Sequence, residues 1–139
     1  MKGSLMNANV KRVIEESVAS SYAGTRDFPT HVRAVAGQGV ESYRVDFREH
    51  VSTYFLQNGE SHTVNLPSHP VAIADGFDEP AVVAAIRSIQ QGQIEYPEFI
   101  DRILRAGCVG YIVWLAGRHV AYFGRRGETH IEPFPSQPS

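Results

Sequence analysis

Residues 27–67 read DFPTHVRAVAGQGVESYRVDFREHVSTYFLQNGESHTVNLP, and residues 95–135 read EYPEFIDRILRAGCVGYIVWLAGRHVAYFGRRGETHIEPFP. The second stretch repeats the first at an offset of 68 residues, without a gap. Ten of the 41 positions are identical (Pro29/Pro97, Gly39/Gly107, Tyr43/Tyr111, Val45/Val113, Tyr54/Tyr122, Phe55/Phe123, Gly59/Gly127, Glu60/Glu128, His62/His130, Pro67/Pro135), where chance gives roughly 2 or 3. Most other pairs are conservative, such as Asp27/Glu95, Phe28/Tyr96, Val32/Ile100, Val35/Ile103 and Phe47/Leu115. The register continues upstream through Ile14/Val82, Val18/Ile86, Ser20/Ser88 and Gly24/Gly92. An internal repeat constrains the architecture before any local reading does. It also gives each residue a counterpart against which its role is weighed.

Within the first unit, Val10, Val13, Ile14, Ser17 and Val18 fall on one face of a helix over 9–21, capped by Asn7 or Asn9. Gly24 ends that region. Asp27 caps a second helix with Pro29 in its first turn, and Gly37-Gln-Gly39 stops it. Strict alternation over Tyr43–Phe47 predicts a strand, followed by strands near 52–56 and 61–66 around the Asn58-Gly59 turn. In the second unit, helices are expected from Asp78 to about Gln91 and from Tyr96-Pro97, with strands near 111–115, 119–123 and 128–131. The expectation is therefore an α+β fold: one domain over 1–139 built from two ααβββ pseudo-repeats, 10–67 and 78–135, with antiparallel sheet packed against helices. Whether the six strands make one sheet or two stays open. The Pro/Ser-rich tail, 133–139, is expected to fray.

Half the chain alone is marginal in size, so the repeats are expected to share one core or to pack face to face. A net charge of −2 argues against a dedicated nucleic-acid binder. No apolar stretch approaches the ~20 residues that span a bilayer, and the first residues lack the apolar run of a signal peptide. The single cysteine excludes an internal disulfide, and these features point to a soluble cytoplasmic protein.

The second unit carries Ile89-Gln-Gln-Gly92, Tyr96-Pro-Glu-Phe99, Ala106-Gly-Cys-Val-Gly-Tyr111, Tyr122-Phe-Gly-Arg125 and Gly127-Glu-Thr-His130. This run resembles the YdfO/YbcV-like bacterial family, a domain-of-unknown-function family with prophage-associated members. The resemblance covers most of the chain and is strongest over 90–135. It implies a small intracellular bacterial α+β protein and supplies no activity, catalytic residue or cofactor.

Four residue sets are candidates for chemistry. Glu60-x-His62 and Glu128-x-His130 each place a carboxylate and an imidazole on one strand face. If the halves bring them together, they suit a divalent metal, with Glu132 as a further ligand or general base. The competing reading is packed, hydrogen-bonded strand histidines. Tyr43, Tyr54, Tyr111 and Tyr122 line a ligand groove or sit at the core edge with satisfied hydroxyls. Arg118, Arg125 and Arg126, with Ile112 and Trp114, form an interaction surface, for nucleic acid or protein, or are solvated turns. Cys108 follows a helix C-terminus, where a thiolate is disfavoured, and its counterpart is Val40. It is expected to be a small buried hydrophobe.

Walker, dinucleotide-binding, Gly-x-Ser-x-Gly and Cys-x-x-Cys motifs are absent from the sequence. The leading expectation is a non-enzymatic binding or regulatory protein acting through its surface on a protein partner or a second copy, with no cofactor. A metal-dependent enzyme and a nucleic-acid-binding factor are the alternatives.

Overall fold

In a computed structural model describing residues 7–135, each helix begins where a short polar side chain or a proline directs it. The Asn7 side chain accepts from the Asn9 N–H at 2.7 Å and starts α1, Ala8–Tyr22. Asp27 accepts from Thr30 N–H at 3.0 Å and opens α2, Phe28–Ala36. Asp78 caps Ala81 in the same way at 3.1 Å to open α3, Glu79–Gln90. α4, Tyr96–Arg105, has Pro97 in its first turn but no side-chain cap from Glu95. The strands are β1 Val40–Asp46, β2 Val51–Leu56, β3 Ser61–Asn65, β4 Cys108–Trp114, β5 His119–Gly124 and β6 Thr129–Pro133.

All six strands join one antiparallel sheet in the order β3-β2-β1-β4-β5-β6, which answers the question left open by the sequence. The two units meet at the central pair, where Tyr43 lies opposite Val113 and Val45 opposite Tyr111. Exchanging the units maps these contacts onto one another. The irregularities match as well: β1 bulges between Val40 and Ser42, and β4 between Cys108 and Gly110. β1 and β4 thus start three residues earlier than the alternation predicts, because a bulge breaks its period. Every described residue with positive φ has a counterpart 68 positions away: Gly24/Gly92, Gly39/Gly107, Gly59/Gly127 and His50/Arg118.

The helices cover one sheet face. Tyr43, Val45, Tyr54, Tyr111, Val113 and Tyr122 point into the core, with Ile14, Val35, Val82, Ile100 and Ile103 from the helices above them. Each large apolar side chain buried there contributes about 1.5–3 kcal/mol. The opposite face carries Arg44, Ile112, Trp114 and Ile131, with the Arg44 guanidinium over the Phe55 ring. Residues 66–78 strap the units together. Ala74 and Asp78 donate their N–H groups to the carbonyls of Leu104 and Ala106.

The expected fraying from residue 133 is corrected in part. Pro133 belongs to β6, and the Phe134 N–H bonds Arg118 O at 2.8 Å while its ring meets Phe28 edge-on. Residues 136–139 lie outside the described residues.

Candidate ligand-binding cavity

Between the two helix pairs and the centre of the sheet lies a cavity of about 380 Å³. Its floor is Tyr43, Val45, Ser52, Tyr54 and Tyr111 from the central strands. Its walls include Val18, Tyr22 and His31 from one unit and Ile89 and Tyr96 from the other. Its mouth is formed by two equivalent loops, around Gly24–Asp27 and Gly92–Glu95. Gly24 has φ +77°, a conformation that favours glycine, and the Glu95 carboxylate of the other loop reaches over it.

Polar groups around the cavity form an ordered chain. Arg26 donates to Ser17 Oγ at 2.8 Å, Ser17 Oγ lies 2.6 Å from His31 Nδ1, and His31 Nε2 lies 2.8 Å from the Tyr54 hydroxyl. Burial, reinforced by the Arg26 charge, pushes the His31 imidazole down to about pKa 4, so it is neutral at pH 7. Arginine can only donate. Ser17 therefore accepts from Arg26, and the His31 ring links it to the Tyr54 hydroxyl, which also engages the Ser52 hydroxyl. Across the floor, the Tyr96 and Tyr111 hydroxyls are 2.5 Å apart. Burial holds the Tyr43, Tyr54, Tyr96 and Tyr111 phenols above their ordinary pKa, so they act as neutral hydrogen-bonding groups.

Two cavity hydroxyls are under-satisfied. Ser52 is 1% exposed and its Oγ makes no close hydrogen bond among the described residues, with the Tyr54 hydroxyl as its one weak partner. Tyr43 stacks on Tyr54 at 4.6 Å, and its hydroxyl makes no hydrogen bond among the described residues. An unpaired buried hydroxyl costs about 1–3 kcal/mol.

The structure brings three of the four doubled tyrosines, Tyr43, Tyr54 and Tyr111, to this cavity. Tyr122 is buried beside Tyr111 but does not line it.

The two Glu-x-His pairs are not brought together. His62 is on β3 and His130 on β6, the opposite edges of the sheet, roughly 24 Å apart at the ~4.8 Å strand spacing. Convergence of Glu60, His62, Glu128 and His130 on one metal is therefore corrected, since the sheet forms by side-by-side pairing of β1 and β4. Each histidine instead ties an edge strand to a helix. His62 Nε2 meets Glu15 of α1 at 2.7 Å, and His130 Nδ1 meets Glu79 of α3 at 2.6 Å. Glu60 and Glu128 accept from Asn58 and Arg126 in their own turns. Among the described residues no group of three or more His, Cys, Asp or Glu side chains could hold a metal ion. Glu132 is 8% exposed between Arg87, at 2.7 Å, and His130, at 3.1 Å. Burial pushes its carboxyl up, but these hydrogen bonds outweigh it and hold the pKa below the usual range.

The proposed surface set also divides. Ile112 and Trp114 share the outer sheet face, with Trp114 43% exposed. Arg125 donates to the carbonyls of Ile73 and Ala74, and Arg126 to that of Asp75, so these arginines secure the strap between the units. Arg118 lies over the Phe134 ring. Cys108 is fully buried with its thiol pushed up to about pKa 11 by desolvation, as expected for a small hydrophobe.

No family model matches the chain. It is 39% identical over 64 residues to the uncharacterized proteins Rv2012 of Mycobacterium tuberculosis (strain ATCC 25618 / H37Rv) and Mb2035 of Mycobacterium bovis (strain ATCC BAA-935 / AF2122/97). In each case the match covers 46% of this chain and 39% of the relative's length, so the chain spans well under half of the curated relatives it matches.

The sequence reading missed Ser17, Arg26, His31 and Ser52. Their signal lay in the repeat itself. Their counterparts are Ala85, Ile94, Phe99 and Val120, so four polar positions of one unit are apolar in the other. All four polar residues belong to the cavity or to the chain that orients its floor.

Proposed function

We propose that this chain is a binding protein and that its cavity takes a small organic molecule. The supporting observation is the Ser52 hydroxyl, buried without a close hydrogen bond among the described residues, beside Tyr43 on the floor of a cavity reached between two glycine loops. Buried polar atoms are nearly always satisfied, by protein, water or ligand. The volume is near the lower end of the ~300–1,000 Å³ typical of ligand pockets. The reading favours binding over turnover. Ser17 takes a hydrogen bond from Arg26 and does not line the cavity, and the phenols are held in their neutral forms.

The experiment is thermal unfolding of the protein with a panel of single-ring compounds at millimolar concentration, repeated on Ile94→Trp, which fills the mouth. A ligand that binds only the folded state raises stability, by about 2.7 kcal/mol at a hundredfold excess over Kd. Stabilisation lost in the variant is expected. No stabilisation by any compound would overturn the reading.

Action through the surface, on a protein partner or a second copy, is the second reading. Trp114 at 43% and Ile131 at 51% exposure on the outer sheet face support it. The metal-enzyme alternative has little left to support it, with its histidines on opposite edges. The nucleic-acid alternative is weakened by the engagement of Arg125 and Arg126 with the strap. The proposal includes an origin by duplication of an ααβββ unit within one domain, supported by the matched bulges and positive-φ pairs. It also includes a cytoplasmic bacterial setting, in keeping with the resemblance to the YdfO/YbcV-like proteins and with a single buried thiol.

A further inference from the structure

The two units are unequal where they face the cavity, and the inequality has a direction. The first unit contributes Arg26, His31 and Ser52, while the matching second-unit positions hold Ile94, Phe99 and Val120. At the buried end, Ser52 Oγ makes no close hydrogen bond and Tyr43 makes none among the described residues, while Tyr54 is engaged by His31 and, weakly, by Ser52. Opposite them, Ile89 and Ile94 supply an apolar wall, and the Tyr96 and Tyr111 hydroxyls satisfy one another.

The geometry points to a neutral, ring-sized organic ligand whose hydroxyl or carbonyl oxygen is seated on Ser52 and Tyr43, and whose apolar end lies against Ile89 and Ile94. Charge at the buried end is disfavoured because its lining groups are uncharged, and desolvating an unpaired ion there is costly. The charged lining groups, Arg26, Asp27 and Glu95, lie at the mouth and the His31 side, away from the Ser52 and Tyr43 hydroxyls. The apolar lining contributes attraction without direction. The Ser52 and Tyr43 hydroxyls contribute direction, since a site built to hydrogen-bond a polar group rejects the analogue that lacks it. The first unit is thus the recognition half and the second the apolar half of one site.

This rests on the cavity being a binding site, so the test separates the two claims. Affinities of toluene, benzyl alcohol, benzamide, benzoate and benzylammonium are measured by thermal unfolding and by NMR titration, on the wild type, Ser52→Val, Tyr43→Phe and, as a control on the outer face, Thr63→Ala. Benzyl alcohol and benzamide are expected to bind about tenfold more tightly than toluene, the increment of one neutral hydrogen bond. That preference should be lost in Ser52→Val and Tyr43→Phe and kept in Thr63→Ala. Ser52→Val installs the residue found at the matching position 120. If it does not fold, Tyr43→Phe carries the test alone. Equal binding of toluene and benzamide, or preference for either charged probe, would overturn the ligand class and leave the cavity as a binding site. Absence of binding by every probe would overturn both.

Discussion

The His31 Nε2 atom lies 2.8 Å from the Tyr54 hydroxyl, whereas Phe99, 68 residues on, meets Tyr122 only through an edge-to-face ring contact at 6.3 Å. One position in two equivalent frames is thus polar and directional once and apolar once. His31→Phe copies the second-unit solution into the first. It removes the bonds to Ser17 and Tyr54 and leaves both hydroxyls buried. A loss of about 2–4 kcal/mol is expected, from about 1–3 kcal/mol for each orphaned group less what the added apolar area returns. Urea denaturation measures it, and an unchanged midpoint would remove His31 from the argument.

Stability should fall with acid through the same residue. The folded pKa of His31 is about 4, against about 6.5 in the unfolded chain, so the unfolded state takes up the proton first. The contribution is complete above pH ~6.5 and declines as pH drops toward 4, by about 3 kcal/mol in all. Denaturation midpoints between pH 7.5 and 4 should decline more steeply for the wild type than for His31→Phe. Parallel profiles would contradict the burial of a neutral imidazole.

Gly107 and Gly39 give a matched pair of substitutions. Both have strongly positive φ, +87° and +89°. A Cβ at Gly107 would lie 2.0 Å from Gly76 O, while one at Gly39 meets nothing within 4 Å. Gly39→Ala should cost the backbone term alone, about 1–2 kcal/mol. Gly107→Ala should cost at least about 2 kcal/mol more, or displace the strap, because a backbone carbonyl must move. Thermal unfolding of the two variants side by side decides it.

Arg125→Ala with Arg126→Ala should loosen residues 73–75, whose carbonyls these side chains hold. Limited proteolysis is expected to nick this stretch faster in the double variant, with a stability change of about 1 kcal/mol or less for such exposed groups. Cleavage at the wild-type rate would show that the backbone bonds of Ala74 and Asp78 suffice.

Zinc, manganese or nickel added to metal-stripped protein should produce no stabilisation that needs both His62 and His130, since they occupy opposite edges of the sheet. His62→Ala and His130→Ala should instead act additively, each freeing its own edge strand from a helix, as independent distant sites do. A metal-specific rise abolished by either single variant would refute this.

The elements were legible because their signals are local. Asp27 and Asp78 cap, Asn58-Gly59 turns, and Tyr43–Phe47 alternates. The single sheet was not legible. The β1–β4 pairing joins residues separated by about half of the chain, and nothing local in Val45 or Tyr111 specifies the other. The tyrosines were legible as a set, but their surroundings were not, because His31 reads as one more residue on an amphipathic helix. The Glu-x-His pairs misled for a related reason. Each histidine makes a strand-to-helix tie, and Glu15 and Glu79, which complete the ties, do not share a repeat position.

The β1–β4 seam also orders the assembly of the molecule. Hairpins and helix pairs lie within each unit, so they can form from short-range closures, while the seam must wait for a long loop to close. The cavity exists only after that last step, because its floor and walls come from both units. On the proposed function, a molecule bound there would act as a latch on the final docking event. Its effect should appear as slower unfolding, with the rate of folding left nearly as it was.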